Sequence, residues 1–205
     1  MEEKLLIIPR DDGLHVEYNG VDWIHGIDVA VPIKGQWLKS EDGTLLGDVP
    51  DPLKGTDRLG AYTGWRVTYR DKERALIDLT IKAYLQLRSV LFEAEALTDL
   101  EHTFTADTFL RTTFQAPIMK LMDAQFLLYT WGLGDHGDRG GWPHAIYGRS
   151  QRQIPRDKAF APLVLSAQES AMVNCTWNTT VWTGFTALMS LFRLKDSGLK
   201  VRMTR

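Results

Sequence analysis

Apolar and polar residues alternate with a period of two along most of this chain, the spacing of strands with one buried face. The clearest run is Ala75 to Arg88: Ala75, Ile77, Leu79, Ile81, Ala83, Leu85 and Leu87 fall on one side, and Asp78, Thr80, Lys82, Gln86 and Arg88 on the other. A helical stripe through the same residues would mix Ile81 with Asp78 and Lys82. The alternation predicts one long strand, despite good helix formers such as Ala and Leu. Trp65, Val67 and Tyr69 define a strand before it, joined by the charged turn Arg70-Asp71-Lys72-Glu73. Val90, Phe92, Ala94 and Ala96 define one after it, with a helix over Val90 to Leu100 as the competing reading.

The flanking regions carry the same signal in shorter pieces. Leu5 to Ile8, the turn Asp11-Asp12-Gly13, the alternation Leu14, Val16, Tyr18 and the dipeptide Asn19-Gly20 together predict an opening hairpin. Ile27, Val29, Val31 and Ile33 form another run, and Pro32 assigns it to an edge strand or a strand end. Residues 34 to 60 hold seven glycine or proline positions and are expected to be loop, with a short strand at Thr44 to Leu46. Thr103 to Phe114 is rich in threonine and phenylalanine and predicts a strand closed by Pro117. Ala124 to Trp131, Ala161 to Ser166, Ala171 to Trp177, Val181 to Phe192 and Leu199 to Met203 complete the set, with Gln151 to Lys158 polar and exposed. The fold class predicted is all-β and antiparallel. A sandwich of 205 residues is compatible with a single domain, 1-205, and no repeat or linker divides it. Because the chain stops on a strand-like segment, further polypeptide is expected to follow it.

One segment breaks the alternation. Trp131 to Arg149, WGLGDHGDRGGWPHAIYGR, has no period that a strand or helix could use, and it follows directly on an expected strand. Long irregular connections in compact domains are usually binding loops or disordered. By residue type Asp135, His136, Asp138, Arg139 and His144 can serve acid–base chemistry, metal ligation or hydrogen bonding to sugar hydroxyls. Trp131, Trp142 and Tyr147 supply flat apolar faces for the C–H side of a sugar ring. The plain alternative is turn chemistry for the aspartates and glycines, with tryptophans plugging the end of a sandwich. Asp135-His136-x-Asp138 lacks the spacing of zinc or calcium loops, and Arg139 competes for the acids, so no metal is expected.

Composition narrows the classes further. An apolar fraction of 44% and a charged fraction of 24% are those of an ordinary globular protein. Net charge is −2 and no Lys/Arg-rich block occurs, which argues against nucleic acid as a partner. The acidic amino terminus MEEKLLIIPRDD does not resemble a signal peptide, and Val181 to Phe192 falls short of the roughly 20 residues that span a bilayer. A soluble, cytoplasmic protein without a membrane partner is expected, and the single Cys175 fits a reducing compartment. The sequons at Asn174 and Asn178 then carry no glycans.

Other chemistry is sparse. Cys175 lies in an apolar strand without a basic neighbour and is expected to be buried and inert. No nucleophile elbow or phosphate-binding glycine motif is present, and no cofactor is expected. Glu93 and Glu95 share one strand face, either as paired carboxylates or as a solvated edge. Of seven tryptophans, Trp65, Trp177 and Trp182 fall in expected strands and belong to the core.

Asp57-Arg58-Leu59-Gly60-Ala61-Tyr62 followed by Trp65 to Tyr69, the strand ending Ile81-Lys82-Ala83-Tyr84, the strand Val90-Leu91-Phe92-Glu93, and Phe160-Ala161-Pro162-Leu163-Val164-Leu165-Ser166 occur in a familiar order. They resemble the amino-terminal β-supersandwich domain of glycoside hydrolases related to α-galactosidases and raffinose synthases, over most of residues 57 to 175. The resemblance implies a galactose-mutarotase-like sandwich that precedes a catalytic (β/α)₈ barrel. There is no room for that barrel in this chain. The resemblance therefore implies a non-catalytic, carbohydrate-associated domain, with a C-terminal catalytic barrel as partner and Trp131 to Arg149 lining its cleft. The alternatives are an aldose epimerase using His136 or His144 with Asp135, Asp138 or Glu93, and a lectin-like or assembly module without chemistry.

Overall fold

The computed structural model describes residues 2–98, 100, 115–131, 143–150, 163–167, 170–177 and 184–193. The fold is all-β and antiparallel, and the helical element among the described residues is a single 3-10 turn, Leu85–Leu87. The chain divides into two compact units, Met1–Met122 with Trp177–Ala187, and Asp123–Thr176 with Leu188–Arg205. The strand Gly184–Arg193 crosses that division.

The first unit holds two sheets. One is built from β1 (Leu5–Arg10), β2 (Gly13–Tyr18), β3 (Val21–Ile33) and a strand at Gln115–Leu121, in that order, with β4 (Gln36–Lys39) also on β3. The other contains β5 (Leu46–Gly47), β6 (Asp51–Asp57), β7 (Gly60–Arg70), β8 (Ala75–Tyr84) and β9 (Ser89–Ala96). There β9, β8, β7 and β5 are successive neighbours and β6 also lies on β7. Trp65 on β7 ties the sheets together, its indole Nε1 donating to the Ile7 carbonyl of β1 at 2.9 Å.

The expected hairpin is present. Asn19 and Gly20 both take positive φ, 51° and 82°, the pair of left-handed residues that a type I′ turn requires. The alternations of β7, β8 and β9 place Val67, Tyr69, Ile77, Leu79, Ile81, Ala83, Val90, Phe92 and Ala94 in the core. Strand, not helix, is what forms over 89–96. Burying a Phe or Leu of this kind stabilises by about 1.5–3 kcal/mol, which is why the period-2 pattern dictates the register.

Three expectations are corrected. The strand begun at Ala75 stops at Tyr84, because Leu85–Leu87 forms the 3-10 turn and Arg88 turns left-handed at φ 49°, bringing Ser89 back opposite Tyr84. Leu85 and Leu87 are consequently exposed. In residues 34–60 the expected short strand forms at Leu46–Gly47 rather than Thr44–Leu46, as β5 on β7, and two further strands stand where loop was expected, β4 paired with β3 and β6 with β7. Pro117 lies inside a strand, at an irregular pairing with β3 between Gln115 and Ile118, where a missing N–H is tolerated. Of the two readings for the run through Pro32, the strand end holds: Pro32 sits next to the end of β3, which has neighbours on both sides and is not an edge.

The strand Gln115–Leu121 is β10. In the second unit β11 (Gln125–Trp131) lies between β12 (Pro143–Gly148) and β13 (Leu163–Ala167), and β13 pairs in turn with β14 (Ser170–Trp177). Gly184–Arg193 is β15. The expected strands at Thr103–Phe114 and Leu199–Met203, and the polar stretch Gln151–Lys158, lie outside the described residues.

Candidate functional site

The segment expected to be wholly irregular is not. Pro143–Gly148 is a strand, paired antiparallel with β11 so that Trp131 faces Pro143 across the ladder, His144 is opposite Thr130, and Tyr147 is opposite Leu127. Pro143 occupies the first strand position, where a missing N–H does least harm, and Ala145-Ile146-Tyr147 supplies the pairing run. Trp131, His144 and Tyr147 are therefore strand residues of a hairpin, Trp131 and His144 next to its connection and Tyr147 near the other end of the ladder. Asp135, His136, Asp138, Arg139 and Trp142 lie in the connection, outside the described residues.

Among the described residues a second polar group gathers on the outer face of β6 to β9, in the stretch that carries the resemblance. Pairing of Gly64 with Lys82 and of Thr80 with Glu93 sets Tyr62, Lys82, Tyr84 and Glu93 on one face, opposite Ile81, Ala83 and Phe92, and Tyr84 is fully buried there beneath its neighbours. Asp57 joins them from the end of β6, because β6 and β7 close tightly as a hairpin in which Asp57 pairs with Gly60. The Leu59 amide donates to Asp57 Oδ1 at 2.9 Å and shapes the turn.

These side chains form a connected network. The Tyr84 hydroxyl donates to Asp57 Oδ2 at 2.7 Å, and Lys82 Nζ stands 2.8 Å from Glu93 Oε2 and 3.7 Å from Asp57 Oδ2. Lys82 Nζ also lies 5.1 Å from the centre of the Tyr62 ring, within cation–π range, and the Tyr62 and Tyr84 rings meet at 5.7 Å. Tyr62 leans across Gly55 of β6, where a Cβ would come within 2.8 Å of its hydroxyl. Gln86 Nε2 donates to the Ala61 carbonyl at 3.1 Å and borders the same group.

The electrostatics follow from the contacts. Burial and then the bond to Asp57 push the Tyr84 hydroxyl far above its ordinary range, so it stays a neutral donor. The same bond, followed by the Leu59 amide, holds the Asp57 carboxyl below the usual carboxylate range. Burial acts to lower the Lys82 ammonium, but Glu93, Tyr62 and Asp57 outweigh it and the net shift is upward. At neutral pH the face presents a fixed ammonium between two carboxylates, beside an aromatic ring and an amide. Such a set donates to and accepts from hydroxyl groups without any proton changing hands. Glu93 is half-exposed and paired with Lys82, so it acts as an ion-pair member rather than as half of a carboxylate pair with Glu95.

Asp57, Tyr62, Lys82, Tyr84 and Gln86 are not site candidates on residue type alone. Their convergence depends on the β6–β7 hairpin, and β6 has no alternating signal. No family model, curated protein or solved structure matches this chain.

Proposed function

We propose that this chain is a non-catalytic, carbohydrate-associated β-sandwich domain that binds a neutral sugar on the outer face of β6 to β9. The observation that carries the reading is the fixed row Asp57–Lys82–Glu93 beside Tyr62 and Gln86, on a sheet whose other face is core. Sugar hydroxyls pair with carboxylate and ammonium groups through hydrogen bonds to charged partners, each contributing about 1.5–3 kcal/mol. The mixed signs favour a neutral ligand over an acidic or basic one. In this reading the β11–β12 hairpin, with Trp131, His144 and Tyr147 in its strands and Asp135, His136, Asp138, Arg139 and Trp142 in its connection, is a further sugar-binding element. It would line the cleft of a C-terminal catalytic barrel, as the resemblance to α-galactosidase-related hydrolases implies.

Calorimetry against galactose, glucose, mannose and their α-linked disaccharides tests the reading. One or more should bind saturably, with Lys82→Met weakening the affinity about tenfold or more, the equivalent of 1.4 kcal/mol. Nitrophenyl galactoside should not be hydrolysed, and polarimetry should show no anomerisation. Absence of binding across the panel, or turnover at enzymatic rates, would overturn it.

A further inference from the structure

A second cluster, away from the Lys82 face, is assembled by an irregularity in the β2–β3 pairing. Val16 pairs with Ile24 but Glu17 pairs with Asp22, so Trp23 is an extra residue on β3. Residues three apart on a regular strand point to opposite faces; the extra residue puts Asp22 and His25 on the same side as His15. The three offer ligand atoms that all lie within 4.8 Å of one another.

The contacts define what the cluster needs. His15 is buried, and its Nε2 lies 2.8 Å from Asp12 Oδ1 while its Nδ1 lies 2.8 Å from Asp22 Oδ2. With the ring hydrogen on Nε2 and donated to Asp12, Nδ1 presents a lone pair to a carboxylate oxygen. Two acceptors at that distance repel unless a positive charge bridges them. Arg10 Nη1 does so, 3.2 Å from His15 Nδ1 and 3.0 Å from Asp22 Oδ2. His25 Nδ1 approaches the same oxygen to 3.4 Å, and Asp22 Oδ1 is buried with no hydrogen-bond partner among the described residues.

We propose that His15, Asp22 and His25 form a binding site for a divalent transition-metal ion of the zinc class, which displaces the Arg10 guanidinium. Two imidazoles and one carboxylate suit Zn²⁺ and Co²⁺, with ligand distances of about 2.0–2.2 Å and hence about 3.3 Å between ligands in a tetrahedron. The His25–Asp22 separation already matches that value. The His15–Asp22 separation has to open by about half an ångström, and the half-exposed His25 ring has to swing toward His15. Asp12 takes the supporting position: a carboxylate on the far nitrogen of a metal-binding histidine fixes its tautomer and raises its basicity. Arg10 is half-exposed on a long stem, so it can leave without disturbing the core.

Titration of the full chain with ZnCl₂ by calorimetry, and with CoCl₂ by visible absorption, tests the assignment. One equivalent should bind, with the absorption of four-coordinate cobalt. His25→Ala and Asp22→Asn should weaken binding at least tenfold, and Asp12→Ala about 10–100-fold. Arg10→Met should bind as tightly as the parent or more tightly. Circular dichroism establishes that each variant is folded, and His25, being exposed, keeps the test informative if substitution at Asp22 does not fold. Absence of saturable binding, parental affinity in His25→Ala, or a loss in Arg10→Met equal to that in His25→Ala would overturn it.

Discussion

Gly64→Ala is the substitution by which the geometry beneath the Lys82 face is most severely tested. Gly64 pairs with Lys82, and a Cβ there would lie 2.0 Å from the Ile81 carbonyl oxygen and 3.0 Å from its carbon. Cβ atoms do not come within 3.0 Å of other heavy atoms, and the obstructing group is backbone, so β7 and β8 must part by about 1 Å. Inter-strand bonds near 2.9 Å are then stretched beyond hydrogen-bond range. Loss of two such bonds at about 1 kcal/mol each, with an overpacking cost of about 1–3 kcal/mol, gives a destabilisation of about 3–5 kcal/mol. For a unit of this size that lowers the thermal midpoint by roughly 6–20 °C. The assay is urea and thermal unfolding followed by circular dichroism, with Gly55→Ala as the comparison. At Gly55 the obstruction is the movable Tyr62 side chain, and the cost should stay under about 1 kcal/mol. Equal midpoints for Gly64→Ala and the parent would refute the close approach of β7 and β8.

Phe92→Ala, which removes a fully buried ring from β9, should cost about 3–5 kcal/mol in urea unfolding. Gly20→Ala, at φ 82°, should cost about 1 kcal/mol, and Asn19→Gly, which keeps the left-handed turn but loses the bond that the Lys4 amide donates to Asn19 Oδ1, should cost about as much. Because the Asp57 pKa is depressed in the fold, its contribution is present at neutral pH and lost as pH falls below the ordinary carboxylate value of 3.8. Asp57→Asn should therefore flatten the acid limb of the stability profile. The Tyr84 and Lys82 pKa values are raised, so their contributions are full below about pH 10 and lost as pH climbs past it. Tyr84→Phe should flatten the alkaline limb while leaving the acid limb with part of its slope.

Strands with one buried face were legible in the sequence, and those without one were not. Ile77, Leu79, Ile81 and Phe92 announce β8 and β9 because burial forces the alternation. In β6, Asp51–Asp57, only Leu53 and Gly55 are even partly covered, so nothing in its hydropathy distinguishes it from loop; its ladder to β7 makes it a strand. The end of β8 was hidden for the opposite reason. Leu85 and Leu87 continue the alternation, and no glycine, proline or asparagine marks the turn that Arg88 completes in a left-handed conformation. The His15–Asp22–His25 group depends on one extra residue in a ladder, which spacing along the chain does not reveal. Trp131, His144 and Tyr147 stood out by residue type, but only the pairing with β11 shows three of that segment's candidates to be strand residues.

The sugar-binding claim is tested most directly by backbone amide NMR of the isotope-labelled chain during titration with the tightest-binding sugar of the panel. Shifts should gather at Asp57–Tyr62, Lys82–Gln86 and Leu91–Glu93, saturate together, and disappear in Lys82→Met. A sugar that leaves those amides unmoved, or moves them equally in Lys82→Met, would contradict the assignment of this face.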